Sequence, residues 1–187
     1  MQVTETLYIK DRKEWRAWLK LNHKTVKEIW LVYYNKASGK PRIPYNDAVE
    51  EALCFGWIDS TIKKINIESH VQRFTPRKKR SQLSELNKER IRRLVKNKKM
   101  TYAGLKAVEH LIDGPLKKEK LEIAPDILKA LKKDKNTWKK FTNFPESYKR
   151  IRIGWIEGSR TRPDIFKQRL NYFLKMTAKN KKYGMVQ

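Results

Sequence analysis

The spacing of apolar residues along this chain changes several times, and each change marks an element. Trp15, Trp18 and Leu19 recur at i, i+3, i+4, which is one face of a helix. Asp11 precedes that helix as a cap, Glu14 three places on completes a capping-box spacing, and Asn22-His23 ends it. Upstream, Leu7-Tyr8-Ile9 predicts a short strand. Ile29 to Tyr34 is continuous, β-branched and aromatic, so its strand has two apolar faces and belongs inside a small sheet. A turn at Ser38-Gly39-Lys40-Pro41 leads to Pro44, which opens a helix carrying the stripe Tyr45, Ala48, Val49, Ala52, Leu53. Asp47, Glu50 and Glu51 lie off that stripe, towards the end of the helix where its dipole favours acids.

Gly56 stops this helix, and two alternating runs follow, Trp57–Ile62 and Val71–Thr75. If Phe74 joins Ile58 and Ile62 in the core, Asp59 and Arg73 share the opposite side, and a slip of one residue reverses the assignment. From Ser84 the pattern is helical. Leu83, Leu86, Ile91, Leu94 and Val95 mark one helix, and Leu105, Val108, Leu111 and Ile112 mark a second that starts at Met100-Thr101. Gly114-Pro115 closes this block, and a Lys/Glu-rich connector runs from Leu116 to Glu122. Four helical segments remain: one opened by Pro125-Asp126, one holding Trp138 and Phe141, one from Pro145 through Tyr148, Ile151 and Trp155 to Gly158, and one capped by Asp164 with Phe166, Leu170, Phe173 and Leu174 inward. Residues 179–187 read as a frayed basic tail. The expected fold is therefore α+β: a small antiparallel sheet packed with helices, then a helical C-terminal part. Residues 1–115 form the core domain and 116–187 a helical subdomain, or the two make one continuous domain.

Composition sharpens this picture at two points. With 39% hydrophobic residues and six Trp, eight Tyr and six Phe, the 187 residues can build a core. The 45 Lys+Arg against 20 Asp+Glu leave +25, which attracts polyanions and says nothing about fold. An anionic partner is expected, nucleic acid or a phosphate-bearing ligand among the choices. A single cysteine, Cys54, cannot make an internal disulfide, and its apolar helical setting predicts burial. The first 15 residues contain no apolar signal-peptide segment and no run suits a transmembrane span, so a cytoplasmic protein is expected.

The usual catalytic signatures are missing. There is no phosphate-binding glycine loop, no nucleophile elbow and no zinc spacing among His23, His70, His110 and Cys54, so no catalytic residue, metal or cofactor is assigned. Two features carry possible chemistry. Asp59, beside Trp57 and Ile58, is costly to bury alone, and Arg73 and Arg77 are the nearest guanidinium groups that could grip it. That set is either a structural ion pair or a pocket in which an arginine holds an anion. The other feature lies in residues 61–100, where 14 Lys+Arg stand against 3 Asp+Glu. Arg77, Lys78, Lys79, Arg80, Arg90, Arg92, Arg93, Lys96, Lys98 and Lys99 make a candidate nucleic-acid patch, or simply part of an evenly basic surface.

Three segments together resemble a known family: Tyr45 through Asp59, Phe74-Thr-Pro-Arg77 with Ser81, Ser84 and Asn87, and Met100-Thr-Tyr-Ala-Gly104. The chain is similar over about residues 8–175 to the YdeI/OmpD-associated, bacteriocin-protection family. Leu83 stands where that family usually has Trp, and Ser159-Arg160-Thr161-Arg162-Pro163-Asp164 departs from its late motif after Trp155-Ile156. The resemblance adds Ser81, Ser84 and Asn87 to the pocket candidates and implies a non-enzymatic role in resistance to bacteriocins or cationic antimicrobial peptides. At +25 the chain repels polycationic peptides, so such protection is expected to act indirectly, through an intracellular anionic partner. A DNA- or RNA-binding role for the 77–99 patch is the alternative, and an enzyme acting on a small anionic substrate at Asp59, Arg73 and Arg77 is a lesser one.

Overall fold

A computed structural model of the chain describes residues 2–79, 81–112 and 121–184. These fall into two compact units. The first comprises residues 2–79, 81 and 90–112, and the second comprises 82–89 and 121–184.

The first unit is built on a four-stranded sheet. Its elements are β1 (Thr6–Tyr8), α1 (Arg12–Asn22), β2 (Ile29–Tyr34), α2 (Tyr45–Cys54), β3 (Trp57–Lys64) and β4 (Ser69–Pro76). The strand order is β1-β2-β4-β3, which puts the doubly apolar β2 inside the sheet as its composition predicts. β3 and β4 form an antiparallel hairpin and β4 runs antiparallel to β2, but β1 is parallel to β2. The sheet is therefore mixed rather than antiparallel. The cause is α1, which carries the chain back over the sheet between β1 and β2 and makes a parallel pair possible.

Two helices cover one face of this sheet. The Asp11 carboxylate accepts the N–H groups of Lys13 at 2.7 Å and Glu14 at 3.0 Å, so α1 starts where its cap predicts. Trp15 and Leu19 are fully buried, and the Trp15 indole donates to the Ala48 carbonyl of α2 at 3.0 Å. Gly56, with φ +76, turns the chain from α2 into β3. The sheet register then corrects the expected faces of the hairpin. Asp59 stands opposite Phe74, and Arg73 stands opposite Trp30. Asp59 thus shares the helix-covered face with Phe74 and Trp57, while Arg73 lies on the other face. Ile62, expected in the core, is 61% exposed, because β3 is the sheet edge and its pairing shifts between Asp59 and Ile62.

α3 (Glu85–Lys96) crosses the division between the units, and α4 (Tyr102–Ile112) returns to the first. Thr101 caps α4: its hydroxyl donates to the Cys54 carbonyl at 2.6 Å and accepts the Gly104 N–H at 3.3 Å. The block end at Gly114-Pro115 and the connector residues up to 120 lie outside the described residues.

The second unit contains α5 (Pro125–Lys132), α6 (Lys135–Asn143), α7 (Glu146–Glu157) and α8 (Pro163–Ala178). Ile127, Leu131, Phe141, Phe144, Tyr148, Ile153, Ile156 and Phe173 make its core, with Phe166, Leu170 and Leu174 of α8 packed against it. Two details differ from the sequence reading. Asp164 lies in the first turn of α8 rather than at its cap, which is Arg162. The tail is also not frayed as far as Gly184, because Tyr183 folds back onto Tyr148, Trp155 and Tyr172. Among the described residues no helix is long and apolar enough to cross a membrane.

Candidate functional site

The acids of α2 organise the polar part of the first unit. Glu51 is 2% exposed and is held by Arg12 at 2.5 Å and Arg16 at 2.5 Å. Arg12 also reaches Glu50 at 3.1 Å and Asp47 at 3.2 Å, and Arg93 closes on Glu50 from α3. Burial works against the charge on Arg12, yet the three acids outweigh it and raise its pKa. Sequence reasoning placed these acids by the helix dipole alone. The missed signal is a pair of arginines one turn apart on α1, facing acids one turn apart on α2. Next to this network lies Cys54, whose thiol is pushed up to about 11, first by burial and then by the Glu51 charge. It is an inert packing residue.

Asp59 accepts the hydroxyl of Tyr45 at 2.5 Å. Burial and then the Asp59 carboxylate raise the Tyr45 pKa, so the phenol stays a donor throughout the physiological range. Arg90, buried in α3 and bonded to Asn46, lies near enough to act electrostatically on this pair; burial lowers its own pKa against the pull of Tyr45, Glu50 and Asp59. The expected grip of Arg73 on Asp59 is not what the fold makes. Arg73 pairs with Glu28, whose carboxyl is held at about 2 by hydrogen bonds from Thr4 and then Arg73. Arg77 instead closes a local loop, donating to the Ser81 carbonyl at 2.9 Å and to the Ser81 hydroxyl at 2.8 Å.

The structure therefore brings together Trp57 with Asp59 on one sheet face, and Arg77 with Ser81 at the end of β4. Trp57 itself is buried, its indole N–H donating to the His23 carbonyl at 3.1 Å. Ser84 and Asn87 belong to the second unit, where the Ser84 hydroxyl accepts the Asn87 N–H at 3.3 Å and starts α3. The enzyme pocket that needed Asp59 and Arg73 side by side is not assembled, since the sheet separates them. Among the described residues no group of His, Cys, Asp and Glu is arranged to hold a metal.

The candidate nucleic-acid patch divides by residue type. Arg90 is buried and bonds to Asn46, and the partly exposed Arg93 pairs with Glu50, whereas Lys78, Lys79, Lys96, Lys98 and Lys99 are exposed. Arg92 is half-buried, and Arg80 lies outside the described residues. A different basic feature emerges beside Lys78. The loop Lys24, Thr25, Val26 and Lys27 meets Arg73, Thr75 and Pro76 of β4 across an open groove of about 530 Å³. Lys24, Lys27 and Lys78 contribute charge there, with no carboxylate paired to them among the described residues, and the threonines add hydroxyls. Nothing in Lys-Thr-Val-Lys foretold this groove, which exists only because the loop folds beside the end of β4.

The second unit holds a cation of another kind. Arg152 is 6% exposed, and its guanidinium lies 4.6 Å from the Tyr183 ring centre, 5.6 Å from Tyr148 and 5.7 Å from Trp155. No carboxylate among the described residues pairs with it, and its Nε has no hydrogen-bond partner. The ring faces stabilise this charge. Burial pushes the Tyr183 hydroxyl up to about 12, against the opposing pull of Arg152.

Comparison with known proteins gives two matches on different parts of the chain. Residues 7–107 match the family model of a domain of unknown function (DUF8412). Residues 120–180 match the model described as bacteriocin-protection, YdeI or OmpD-associated. The latter lies on the helices around Arg152, while the motif segments between Tyr45 and Gly104 fall within the former. No curated protein and no solved structure matches the chain.

Proposed function

Because the chain belongs to the DUF8412 family and matches the bacteriocin-protection, YdeI or OmpD-associated family over residues 120–180, we propose that it is a non-enzymatic binding protein that supports resistance to bacteriocins or cationic peptides by holding an anionic partner. The observation that carries this reading is how the charges are spent. Glu28, Asp47, Glu50, Glu51 and Glu89 are drawn into ion pairs with half-buried arginines, so they neutralise neighbours rather than surface lysines. What the first unit offers outward is more lysine than acid, and Lys24, Lys27 and Lys78 line one groove of that surface. Lysine is a flexible point charge suited to phosphate or carboxylate groups. The same surface repels a cationic peptide, so the protective effect runs through an anionic cytoplasmic partner rather than through capture of the peptide.

The test is the Lys24→Glu/Lys27→Glu/Lys78→Glu variant. It should keep its melting temperature, lose most of its affinity for inorganic polyphosphate at low salt, and fail to restore peptide tolerance to a strain lacking the protein. Equal binding and equal rescue by the variant would overturn the reading. Nucleic acid is the second reading, favoured by Tyr102, 79% exposed and next to Lys98 and Lys99, where a base could stack beside its phosphates. In the same titration, single-stranded RNA that binds the variant as it binds the parent, but not a Tyr102→Ala variant, would favour this second reading.

A further inference from the structure

The tip of the β3–β4 hairpin is built in a way that the polyanion reading leaves unused. Ile62, Ile65 and Ile67 are 61%, 50% and 85% exposed within six residues, in a chain whose mean hydropathy is −0.82. The other large exposed apolar side chains, such as Leu21, Val95 and Tyr172, are scattered singly, which is ordinary for a surface. A cluster at one hairpin tip is not.

The tip is also tied together by hydrogen bonds. The Asn66 side-chain oxygen accepts the N–H groups of Glu68 at 2.9 Å and Ser69 at 2.8 Å. The Ser69 carbonyl accepts from Ile65 at 3.1 Å and Asn66 at 3.3 Å. Asn35, at the end of β2, donates its side-chain amide to the Ile67 carbonyl and its backbone N–H to the Glu68 carbonyl, each at 2.7 Å. Most of the backbone polar groups at the tip are thus paired internally, which removes much of the cost of taking the tip out of water. Around it stand Lys36 and Lys64, with Glu68 as the opposing acid, while Lys63 reaches back over the Trp30 ring, 6.0 Å from its centre.

We infer that this hairpin is a docking tip for a membrane surface bearing anionic headgroups. Exposed isoleucines on a hydrogen-bonded hairpin tip suit the boundary between headgroups and acyl chains, where an apolar face sinks about 5–10 Å. The flanking lysines meet the headgroups, each cation near an anionic leaflet multiplying affinity roughly fivefold. Charge decides against the other occupants. A second copy would set +25 against +25. Nucleic acid would meet aliphatic side chains that neither stack on bases nor pair with phosphates. The tip lies beyond the first residue of β4, and the lysine groove lies at its last residues, so the two surfaces are separate.

The experiment is vesicle co-sedimentation with phosphatidylcholine alone and with added phosphatidylglycerol, comparing the parent with Ile65→Ser/Ile67→Ser. Both side chains are exposed, so the melting temperature should hold. The parent should bind only the anionic vesicles, and the double variant should bind them at least about tenfold more weakly. Equal binding by the variant, or no binding by the parent, would overturn the inference. So would light scattering that shows a hairpin-dependent dimer without lipid. The groove variant tested above should retain hairpin-dependent binding, so failure of one surface is distinguishable from failure of the other.

Discussion

At the residue scale the unusual carboxylate was visible in the sequence, but its partner was not. Asp59 between Trp57 and Ile58 signalled an acid that needed company, and it has company in Tyr45. The choice between Arg73 and Tyr45 depended on strand register, and register depends on partners distant in sequence. Arg73, on the other sheet face, found Glu28, which lies 45 positions away and could not be matched to it by pattern. The Tyr45 bond gives a direct prediction. Tyr45→Phe keeps the ring and its packing but leaves the carboxylate one donor short in a half-buried site. Losing such a bond costs about 1–3 kcal/mol. Urea unfolding should show that loss, while Tyr102→Phe, exposed on α4, should show none. Unchanged stability in Tyr45→Phe would mean that water or Arg90 satisfies Asp59 without the phenol.

Elements were more legible than residues, because helix stripes and strand alternation depend on near neighbours. Asp11, the continuous run of β2, the α2 stripe and the inward residues of α8 all stand where the pattern put them. What escaped was how elements approach one another. Gly104 shows the difference. Read locally, a glycine in the first turn of α4 is a weakness, and alanine should improve the helix by about 1 kcal/mol. In the fold, a Cβ at Gly104 would sit far inside contact distance of the Cys54 carbonyl oxygen, where α4 crosses the end of α2. That oxygen is backbone and already accepts from Thr101, so it cannot move aside cheaply. Overpacking of this kind typically costs 1–3 kcal/mol, sometimes more, and exceeds the propensity gain. Gly104→Ala should therefore lower the unfolding free energy, as measured by urea denaturation. A gain in stability would show that α4 shifts off α2 with little resistance.

For the whole molecule, the net charge was plain from composition, but its arrangement required the fold. The sequence showed 45 cations and 20 acids without showing which were spent on each other. The buried acids of α2 are neutralised by Arg12, Arg16 and Arg93, so the repulsion that remains is carried largely by exposed lysines. Salt acts differently on the two populations. Screening over a Debye length of about 8–10 Å weakens repulsion between exposed charges, whereas partly buried pairs are shielded much less. The balance should favour the folded state as salt is added, because compaction forces the lysines together and unfolding lets them separate. The melting temperature should thus rise with sodium chloride from low to physiological ionic strength. Inorganic polyphosphate should raise it further at equal ionic strength, since a ligand that binds only the folded chain adds its own stabilisation. A melting temperature that falls with salt would show that the ion pairs outweigh the lysine repulsion. A rise with salt but no added effect of polyphosphate would leave the charged surface without a bound partner and remove the main support for an anion-holding role.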